Sequence, residues 1–403
     1  MRTKICVSVL SFLLGFTGMT FAQQFINFTT ANGLPDNNVN GVAVDANNVK
    51  WFGTQTGVAS FDGTTWHYYT MANGLVDNFI NCIAVDHNNH IWVGTDVGVS
   101  TFDGTQWTSF TSANGLVNDM ISYIAGSPDG SVWIGTISGI SRYDGSTFTN
   151  LTTANGLPSE MVSFIAVEGA NSIWIGTWIG GLAHYNGSSF TVYTTANGLP
   201  DNNISSIAID YYGNKYIATY SGIGKLDNTN THIATYTAAS GLFNNMVKDI
   251  AINTSQELWI GIYADYLLDG AVTWTNQSGW ATYTMANGLV NTMVKRLAVD
   301  KDNRVWVATG NGVSEIIPIN DGISEVIDQG INIYPNPASE EIHMDGIPAK
   351  TEISIFTVTG VKALVQLSSS ATEIINTSSL SPGLYLLQYS DGKRRNSSKI
   401  VIR

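Results

Sequence analysis

A repeat of about 41 residues fills most of this chain and constrains its fold more than any other feature. One copy covers residues 72–111, and its ANGL tetrad contains a glycine that recurs every 41 to 47 residues. An aromatic residue follows each of these marker glycines by 18 positions, and a large apolar residue precedes it by eight. The marker glycines are Gly33, Gly74, Gly115, Gly156, Gly198, Gly241 and Gly288. The following aromatics are Trp51, Trp92, Trp133, Trp174, Tyr216, Trp259 and Trp306, and the preceding anchors are Phe25, Trp66, Trp107, Phe148, Phe190, Ile233 and Trp280. This period is typical of four-stranded propeller blades.

Within the copy at residues 72–111, the pattern predicts four short β-strands. Residues 80–86, 91–95, 98–102 and 106–111 are rich in β-branched and aromatic side chains. The separators DHNN and DGT suit tight hairpin turns. No helical 3.6-residue period occurs between the N-terminal segment and the tail. We expect the recurring Trp residues to wedge between neighbouring blades as scaffold, and we exclude them as ligand contacts.

The two ends of the repeat region complement each other. Residues 25–29 match a fourth strand that has no blade of its own, whereas the seventh repeat, which ends near residue 317, lacks its fourth strand. Pairing of these ends would close a ring and remove the exposed sheet edges. The sequence therefore predicts an all-β, seven-bladed β-propeller over residues 24–317, closed by pairing of its terminal strands.

The remaining segments predict an exported protein with a second domain. Residues 1–22 have the charged start, apolar core and small-residue cleavage site of a secretory signal peptide. Removal of that segment would leave Cys82 as the single cysteine, so no intrachain disulfide could form. Residues 318–330 are predicted to be a linker. Residues 331–403 contain seven short strand candidates, as in a small Ig-like β-sandwich. These are residues 331–334, 341–344, 352–357, 361–367, 373–376, 383–389 and 398–402.

Composition and motifs exclude several classes of function. The formal charge of −13 argues against nucleic acid and anionic membranes as partners. The Asp- and Asn-rich turns that begin at Asp45, Asp86 and Asp300 lack the ligand spacing of a calcium loop, so hairpin chemistry explains them. No metal-binding, nucleophile-elbow or phosphate-binding motif occurs. We therefore assign no catalytic residue, metal or cofactor, and we expect a monomer without a transmembrane segment in the mature chain.

Two sets of loops are expected at the mouth of the central channel. The loop from the fourth strand to the next blade forms a polar rim: Asp36/Asn37, Asp77/Asn78, Asn118/Asp119, Ser159/Glu160, Asp201/Asn202, Asn244/Asn245 and Asn291/Thr292. The loop between the second and third strands places Gln55, Asp96, Ile137, Trp178, Tyr220, Tyr263 and Gly310 around the ring. Repeat six also contains an insertion of about five residues that includes Tyr266.

The aromatic side chains of these loops suggest a carbohydrate site. We hypothesise that sugar faces stack on the rings of Trp178, Tyr220, Tyr263 and Tyr266. Polar groups would bond the sugar hydroxyls: Glu160, Asp201, Asn202 and Asn245. The alternative is that these rings pack onto neighbouring loops.

The repeat resembles the two-component regulator propeller family. The resemblance rests on the nGLp-like tetrads, the WIGT motifs at residues 133–136 and 174–177, and the Phe/Tyr-Asp-Gly turns at residues 61–63, 102–104 and 143–145. It implies a ligand-sensing propeller, because members commonly form periplasmic sensors of hybrid two-component systems that are often implicated in glycan sensing. This chain has one set of repeats and no kinase, so only the binding role transfers.

The tail resembles the type IX secretion C-terminal sorting domain of Bacteroidetes. The matching residues are Tyr334, Pro335, Asn336 and Pro337, then Gly383 and Tyr385, and finally Lys399 and Val401. The resemblance implies that the type IX machinery exports the chain across the outer membrane and that the chain is released or attached at the cell surface.

The sequence thus favours a secreted or surface-attached, non-catalytic propeller that binds a glycan. One alternative is a propeller lyase acting on a polysaccharide or lactone, since streptogramin lyases are similar propellers. A lyase needs a base near the channel mouth, and His184 and Tyr185 are predicted to point to the other face. The second alternative is a protein-interaction or adhesin scaffold.

Overall fold

The computed structural model describes residues 24–263, 269–276, 279–317, 332–347, 351–357, 362–390 and 395–403. The chain divides into two compact units, Met1–Pro318 and Ile319–Arg403. The predicted signal peptide and linker lie outside the described residues. Within those residues both units are built of β-strands, and no α-helix occurs.

The described part of the first unit contains seven four-stranded antiparallel sheets, and in most of them four consecutive strands pair in chain order. The first strand, β1, is Gln24–Phe28. Sheet 1 comprises β2 (Val39–Val44), β3 (Lys50–Thr54), β4 (Val58–Phe61) and β5 (Trp66–Tyr69). Sheet 2 comprises β6 (Cys82–Val85), β7 (Ile91–Gly94), β8 (Val99–Phe102) and β9 (Trp107–Phe110). Sheet 3 comprises β10 (Ile121–Gly126), β11 (Val132–Thr136), β12 (Gly139–Tyr143) and β13 (Phe148–Leu151).

The later sheets repeat this order. Sheet 4 comprises β14 (Val162–Gly169), β15 (Ser172–Thr177), β16 (Leu182–Tyr185) and β17 (Phe190–Tyr193). Sheet 5 comprises β18 (Ile204–Ile209), β19 (Lys215–Thr219), β20 (Gly222–Leu226) and β21 (His232–Tyr236). Sheet 6 comprises β22 (Val247–Ile252), β23 (Leu258–Ile262), β24 (Ala271–Thr275) and β25 (Trp280–Tyr283). Sheet 7 comprises β26 (Val294–Val299), β27 (Val305–Thr309), β28 (Gly312–Ile317) and β1.

The first strands of the sheets follow one another in a closed order. Each contacts the first strand of the next sheet, and β26 of sheet 7 contacts β2 of sheet 1. The unit is therefore propeller-like, with the first strands innermost and the apolar residues packed between adjacent sheets.

The terminal strands of this unit pair as the sequence predicts. Strand β1 lies antiparallel to β28, in a register that runs from Gln24 opposite Ile317 to Phe28 opposite Val313. The Phe28 ring stacks on Trp306 of the same sheet and contacts Trp66 of sheet 1. The predicted closure by the N-terminal strand is confirmed.

The recurring Trp residues are buried, as predicted, and several of them fix the turn that precedes them. The Trp92 indole donates to Asp86 Oδ2 at 2.9 Å, and the other carboxylate oxygen of Asp86 accepts from the backbone N–H groups of Asn88 and His90. Trp51 and Trp306 donate to Asp45 and Asp300 in the same way, at 3.1 Å. The turn carboxylates are therefore bound within their own hairpins, which confirms the structural explanation of these turns.

A single 3-10 turn overlaps the start of each ANGL-type tetrad. The sequence did not predict these turns, because it shows no helical period. The turns are Thr30–Asn32, Met71–Asn73, Ser112–Asn114, Thr153–Asn155, Thr195–Asn197, Ala238–Ser240 and Met285–Asn287. Three residues are too few to produce a period. A capping box starts each turn, and Gly74, with φ of 111°, ends its turn in the left-handed region. A Cβ at the equivalent Gly33 would lie 2.2 Å from the Trp66 ring, so the marker glycine leaves room for the anchor aromatic.

The prediction that Ile233 is an anchor of the repeat is wrong. Ile233 occupies the anchor position of repeat five, but its side chain is 52% exposed. The pairing of β20 with β21 shifts register between Lys225 and Leu226. This irregularity places the His232 ring against Gly198 instead, 2.9 Å from where a Cβ would stand.

The second unit contains two antiparallel sheets that share an apolar core. One sheet has the order β29 (Asn332–Tyr334), β30 (Glu341–Asp345) and β33 (Thr372–Asn376). The other has the order β32 (Lys362–Leu367), β31 (Glu352–Thr357), β34 (Gly383–Ser390) and β35 (Arg395–Ile402). The core includes Ile342, Ile353, Ile375, Leu387 and Ile400. All seven predicted strands are present, with ends shifted by a few residues.

Candidate functional site

A cavity of about 790 Å³ lies in the first unit, within the size range of small-ligand sites. Its wall includes the predicted loop positions between second and third strands: Gln55, Asp96, Ile137, Trp178, Tyr220 and Tyr263. Gly310, the seventh position, is not among the described lining residues. Six of the seven predicted loop positions therefore line this cavity.

A ring of polar residues that sequence reasoning missed completes the cavity. It comprises the residue seven positions after each marker glycine: Asn40, Asn81, Ser122, Ser163, Ser205, Lys248 and Lys295. We call this set the polar ring. Its signal was present in the sequence as a polar position that recurs at the start of otherwise apolar first strands.

Much of the polar ring joins adjacent sheets through hydrogen bonds. Asn40 Nδ2 donates to the Ile80 carbonyl at 2.8 Å, and Ser205 Oγ donates to the Val247 carbonyl at 2.6 Å. Asn81 and Ser163 make the equivalent bonds to the next sheet. Ser122 Oγ is buried without a hydrogen-bond partner among the described residues. Ser122 therefore breaks the pattern of side-chain bonds between adjacent sheets.

Apolar side chains at the repeat position two residues before the polar ring also line the cavity. Phe79, Met120, Met161 and Met293 are each at least partly exposed and lie five residues after their marker glycines. Clustered exposed apolar groups mark interaction sites more often than scattered ones. The cavity can therefore contact an apolar surface of a ligand as well as polar groups.

Three of the four proposed aromatic residues meet at this cavity. Trp178 is 49% exposed, and its backbone N–H donates to the Met161 carbonyl at 3.1 Å. The rings of Tyr220 and Tyr263 lie 6.1 Å apart between centroids. Burial, with a smaller contribution from Tyr263, raises the pKa of Tyr220, so its hydroxyl stays protonated. Tyr266 lies outside the described residues.

The four polar residues proposed beside the aromatics are placed differently. None is among the residues that line the cavity. Glu160 Oε1 accepts from the Thr153 hydroxyl at 2.8 Å. Asn202 and Asn245 accept from the backbone N–H groups of the 3-10 turns, and Asp201 accepts from Asn203 and Ser221. These rim side chains fold back onto their own loops, a contact that repeat position alone does not reveal. Their role in ligand binding stays a prediction.

One side of the cavity is cationic although the chain is acidic. Lys248, Lys295 and Arg296 belong to sheets 6 and 7, whereas Asp96 is the single carboxylate among the described lining residues. Asn81 Nδ2 already donates to Asp96 at 2.7 Å.

The three cations differ in their partners. Lys295 Nζ donates to Asn38 and Asn40, and burial lowers the pKa of Lys295. Arg296 Nη1 lies 3.7 Å from Asp249 Oδ1, an ion pair too long for a hydrogen bond. The ammonium group of Lys248 has no ion pair or hydrogen bond in the described part of the chain. Burial, together with the charge of Arg296, lowers the pKa of Lys248 to about 8.

A second set of side chains lies beside this cavity, one position later in the repeat than the polar ring. The residues eight positions after the marker glycines include Cys82, Tyr123, Phe164, Asp249 and Arg296. All five line a second cavity of about 100 Å³, which shares Arg296 with the first. The Tyr123 and Phe164 rings lie 4.0 Å apart. We call these five residues the channel plug.

Among the described residues, one group that partly resembles a catalytic triad lies outside the cavity lining. His184 Nε2 is 2.8 Å from Ser172 Oγ, and Glu168 Oε2 accepts from the same hydroxyl at 2.9 Å. In a catalytic triad the acid orients the histidine, whereas Glu168 here binds the serine itself. The His184 ring stacks on Trp174 at 4.3 Å. These contacts give His184 a packing role.

The second unit brings the proposed sorting residues together. Asn336 Oδ1 accepts from the Val401 backbone N–H at 2.9 Å, and Gly383 pairs with Ile402. The Tyr334 hydroxyl donates to Asp345 at 2.6 Å. Tyr385 is buried and its hydroxyl donates to the Ser381 carbonyl. The motif around Pro335 and Pro337 therefore packs against the strand that contains Lys399 and Val401.

Family models match both parts of the chain. The model described as secretion system C-terminal sorting domain matches residues 332–403. The model described as two component regulator propeller matches residues 74–97 and 288–311. The chain contains two component regulator propeller repeats and a type IX secretion sorting tail. The sorting tail implies export to the cell surface or medium and contact with the secretion machinery.

Solved structures with this fold come from a two component system, a secretion system and a lyase. The extracellular domain assigned to a hybrid two component system of B. thetaiotaomicron has a TM-score of 0.64 at 17% identity, with coverage of 94% of this chain and 57% of that one. PorZ, a surface component of the type-IX secretion system of Porphyromonas gingivalis, has a TM-score of 0.61 at 17% identity, covering 92% and 60%. Streptogramin B lyase has a TM-score of 0.61 at 15% identity, covering 73% and 97%.

These similarities show the fold and do not transfer an activity. The chain spans 57% and 60% of the lengths of the first two structures. No curated protein matches the sequence. In the part of the chain that the structure describes, no helix has the length and apolar character needed to cross a membrane.

Proposed function

We propose that this protein is a secreted or surface-attached receptor that binds a glycan in the cavity of its first unit. The observation that supports the proposal best is the presence of Trp178, Tyr220 and Tyr263 in one cavity wall that also contains the polar ring. Sugar rings offer apolar faces for stacking and hydroxyls for hydrogen bonds, so a site for them combines both kinds of group. The proposal treats the protein as a binding module without catalysis.

We propose that residues 24–317 form a ring of seven blades, followed by a short linker. Its support is the closed order of the first strands and the pairing of β1 with β28. We further propose that residues 331–403 form an Ig-like sandwich that directs export as a monomer after cleavage of residues 1–22. Either release or attachment at the outer surface then leaves the cavity available to extracellular ligands.

The proposal is tested by titrating the secreted protein with an oligosaccharide panel in a calorimeter. The double variant Trp178→Ala, Tyr220→Ala is expected to bind at least tenfold more weakly, since each stacked ring contributes about 0.5–1.5 kcal/mol beyond its buried area. The matched control is Tyr211→Ala, Tyr212→Ala, which removes two rings that are 85% and 67% exposed outside the cavity. Equal affinity in both double variants, or a panel without any ligand, would contradict the proposal.

A protein partner is the second candidate, and the apolar lining favours it. Met120, Met161 and Met293 present flexible thioether side chains, which adapt to varied apolar surfaces. Capture of a protein segment that Met161→Ala weakens and oligosaccharides do not displace would support this alternative.

The lyase alternative is tested on the same panel by the ultraviolet absorbance of unsaturated products. Burial lowers the pKa of two lining residues, Lys295 and Lys248, and that of Lys248 to about 8, near the range that proton abstraction would need. An absorbance rise that Lys248→Met abolishes would overturn the assignment as a binding module.

A further inference from the structure

We infer that the ligand of the cavity is an acidic glycan whose carboxylate binds the ammonium group of Lys248. The inference rests on the proposed glycan-binding function and adds the charge of the ligand. It comes from the position of Lys248, whose ammonium group has no hydrogen-bond or ion-pair partner among the described residues around it.

Lys248 differs from most of the residues that occupy the same position in the other sheets. Asn40, Asn81, Ser163 and Ser205 use their side chains to bond the next sheet. Lys248 makes no such bond in the described part of the chain, and it lines the cavity. Lys248 is half-buried, so its ammonium group loses part of its hydration without gaining a counter-ion, which is costly. A ligand that supplies a negative charge would remove this cost.

The neighbouring charges do not supply that counter-ion. Asp249, on the same strand, is bonded to Ser206 and to the Leu297 backbone N–H and is paired with Arg296. Lys295 and Arg296 on the next sheet add positive charge. A chain with 31 acidic and 18 basic residues nevertheless concentrates three cations in this wall. The site is therefore complementary to an anion from outside the chain.

The flanking aromatics favour a sugar acid over a small inorganic anion. Tyr220 and Tyr263 belong to the second-to-third strand loops of sheets 5 and 6 and line the same cavity as Lys248. A uronic acid presents an apolar ring face beside its carboxylate. Stacking on the tyrosines and an ion pair with Lys248 would use both features at once.

Titration of Lys248 adds a pH signature to the binding. In the free protein the pKa of Lys248 is lowered to about 8 by burial and by the positive charges of Arg296 and Lys295, while Asp249 opposes the shift. Tyr220 has a raised pKa and is neutral in this range. A carboxylate stabilises the charged lysine, so affinity is highest below about pH 8 and falls as the pH rises above it.

The test compares two oligosaccharides that differ only in charge. The full secreted chain is titrated with tetragalacturonate and with its fully methyl-esterified form. We expect the acid to bind at least tenfold more tightly, as for a hydrogen bond to a charged group. Lys248→Met should abolish this preference without changing the affinity for the ester, which also shows that the variant is folded. Lys225→Met, outside the cavity lining, is the matched control and should keep the preference.

The outcomes separate this inference from the proposed function. Equal binding of acid and ester, or a preference that survives in Lys248→Met, overturns the carboxylate site and leaves the glycan function intact. If neither oligosaccharide binds, acetate is added to protein with labelled lysines and the pKa of Lys248 is followed by NMR. A rise retains the carboxylate site but overturns the glycan function, whereas an unchanged pKa overturns both.

Discussion

The guanidinium carbon of Arg296 lies 5.1 Å from the centre of the Tyr123 ring. The two residues belong to sheets 7 and 3, so the side chain of Arg296 reaches across the channel. It also lies 5.5 Å from the Phe164 ring of sheet 4 and pairs with Asp249 of sheet 6. One side chain thus connects four sheets at the floor of the candidate site.

Replacing Arg296 with Met should destabilise the protein by about 3 kcal/mol, because it leaves the buried carboxylate of Asp249 without its ion pair. The measurement is the free energy of unfolding in urea. Arg142→Met is the matched control, since Arg142 also lies over an aromatic ring, that of Trp133, but pairs with Asp129 near the surface. It should cost less than about 1 kcal/mol. An equal loss of unfolding free energy in the two variants would contradict the stabilising role of the Arg296–Asp249 pair.

Phe28→Ala should lower the free energy of unfolding by about 3 kcal/mol or more. Phe28 is buried among Phe61, Trp66 and Trp306 at the junction of the first and last sheets. Ile26→Ala, on the same strand but exposed, should cost less than about 1 kcal/mol. Urea unfolding of the two variants checks the difference. Similar values would mean that the terminal strand contributes through its backbone alone.

Asp103→Asn should reduce the acid sensitivity of the fold. The Thr105 hydroxyl and the backbone N–H groups of Gln106 and Thr105 donate to Asp103 and lower its pKa to about 2. The unfolded value is about 3.9, so the stability that Asp103 contributes is complete above about pH 4 and is lost as the pH falls towards 2.

Asn186 already makes the equivalent turn in sheet 4, with bonds to the N–H groups of Ser188 and Ser189. The Asp103→Asn variant should therefore match the thermal midpoint of the native protein at pH 7. Between pH 4 and pH 2 its midpoint should fall less than that of the native protein. A parallel fall would show that other groups control acid unfolding.

The thiol of Cys82 should resist modification in the folded protein. Cys82 is a buried member of the channel plug, and burial raises its pKa to about 12. Since the thiolate is the reactive form, a disulfide reagent at pH 8 should label the thiol only after unfolding in guanidinium. Cys82→Ser gives the background. Rapid labelling of the native protein at this site would contradict the prediction.

The strands and the closure were predictable because they depend on local patterns. Alternating side chains and turn residues specify where a strand begins and ends, and β7 (Ile91–Gly94) agrees with the predicted residues 91–95 to within one residue. The error at Ile233 has a physical reason, because a register irregularity between β20 and β21 changes which side chain faces inward. Repeat spacing assumes a constant register and does not detect such a shift.

The candidate site was predictable only in part. Trp178, Tyr220 and Tyr263 were found because exposed aromatics at one repeat position are unusual. Glu160 and Asn202 were expected beside them, yet their oxygens bond their own loops. The polar ring was missed because a single polar residue in an apolar strand does not indicate a cavity wall. The wall becomes visible only when the seven residues are placed around one axis.

The sequence alone determined the repeat, the strand order, the joining of the two ends and the sorting tail, because each is recorded in neighbouring residues or in a fixed period. The tertiary structure decided which side chains share a cavity. Lys248 and Trp178 are 70 positions apart, and only the closed order of the sheets places them in one wall. Whether a cation has a partner depends on distances between sheets, which a one-dimensional pattern does not contain.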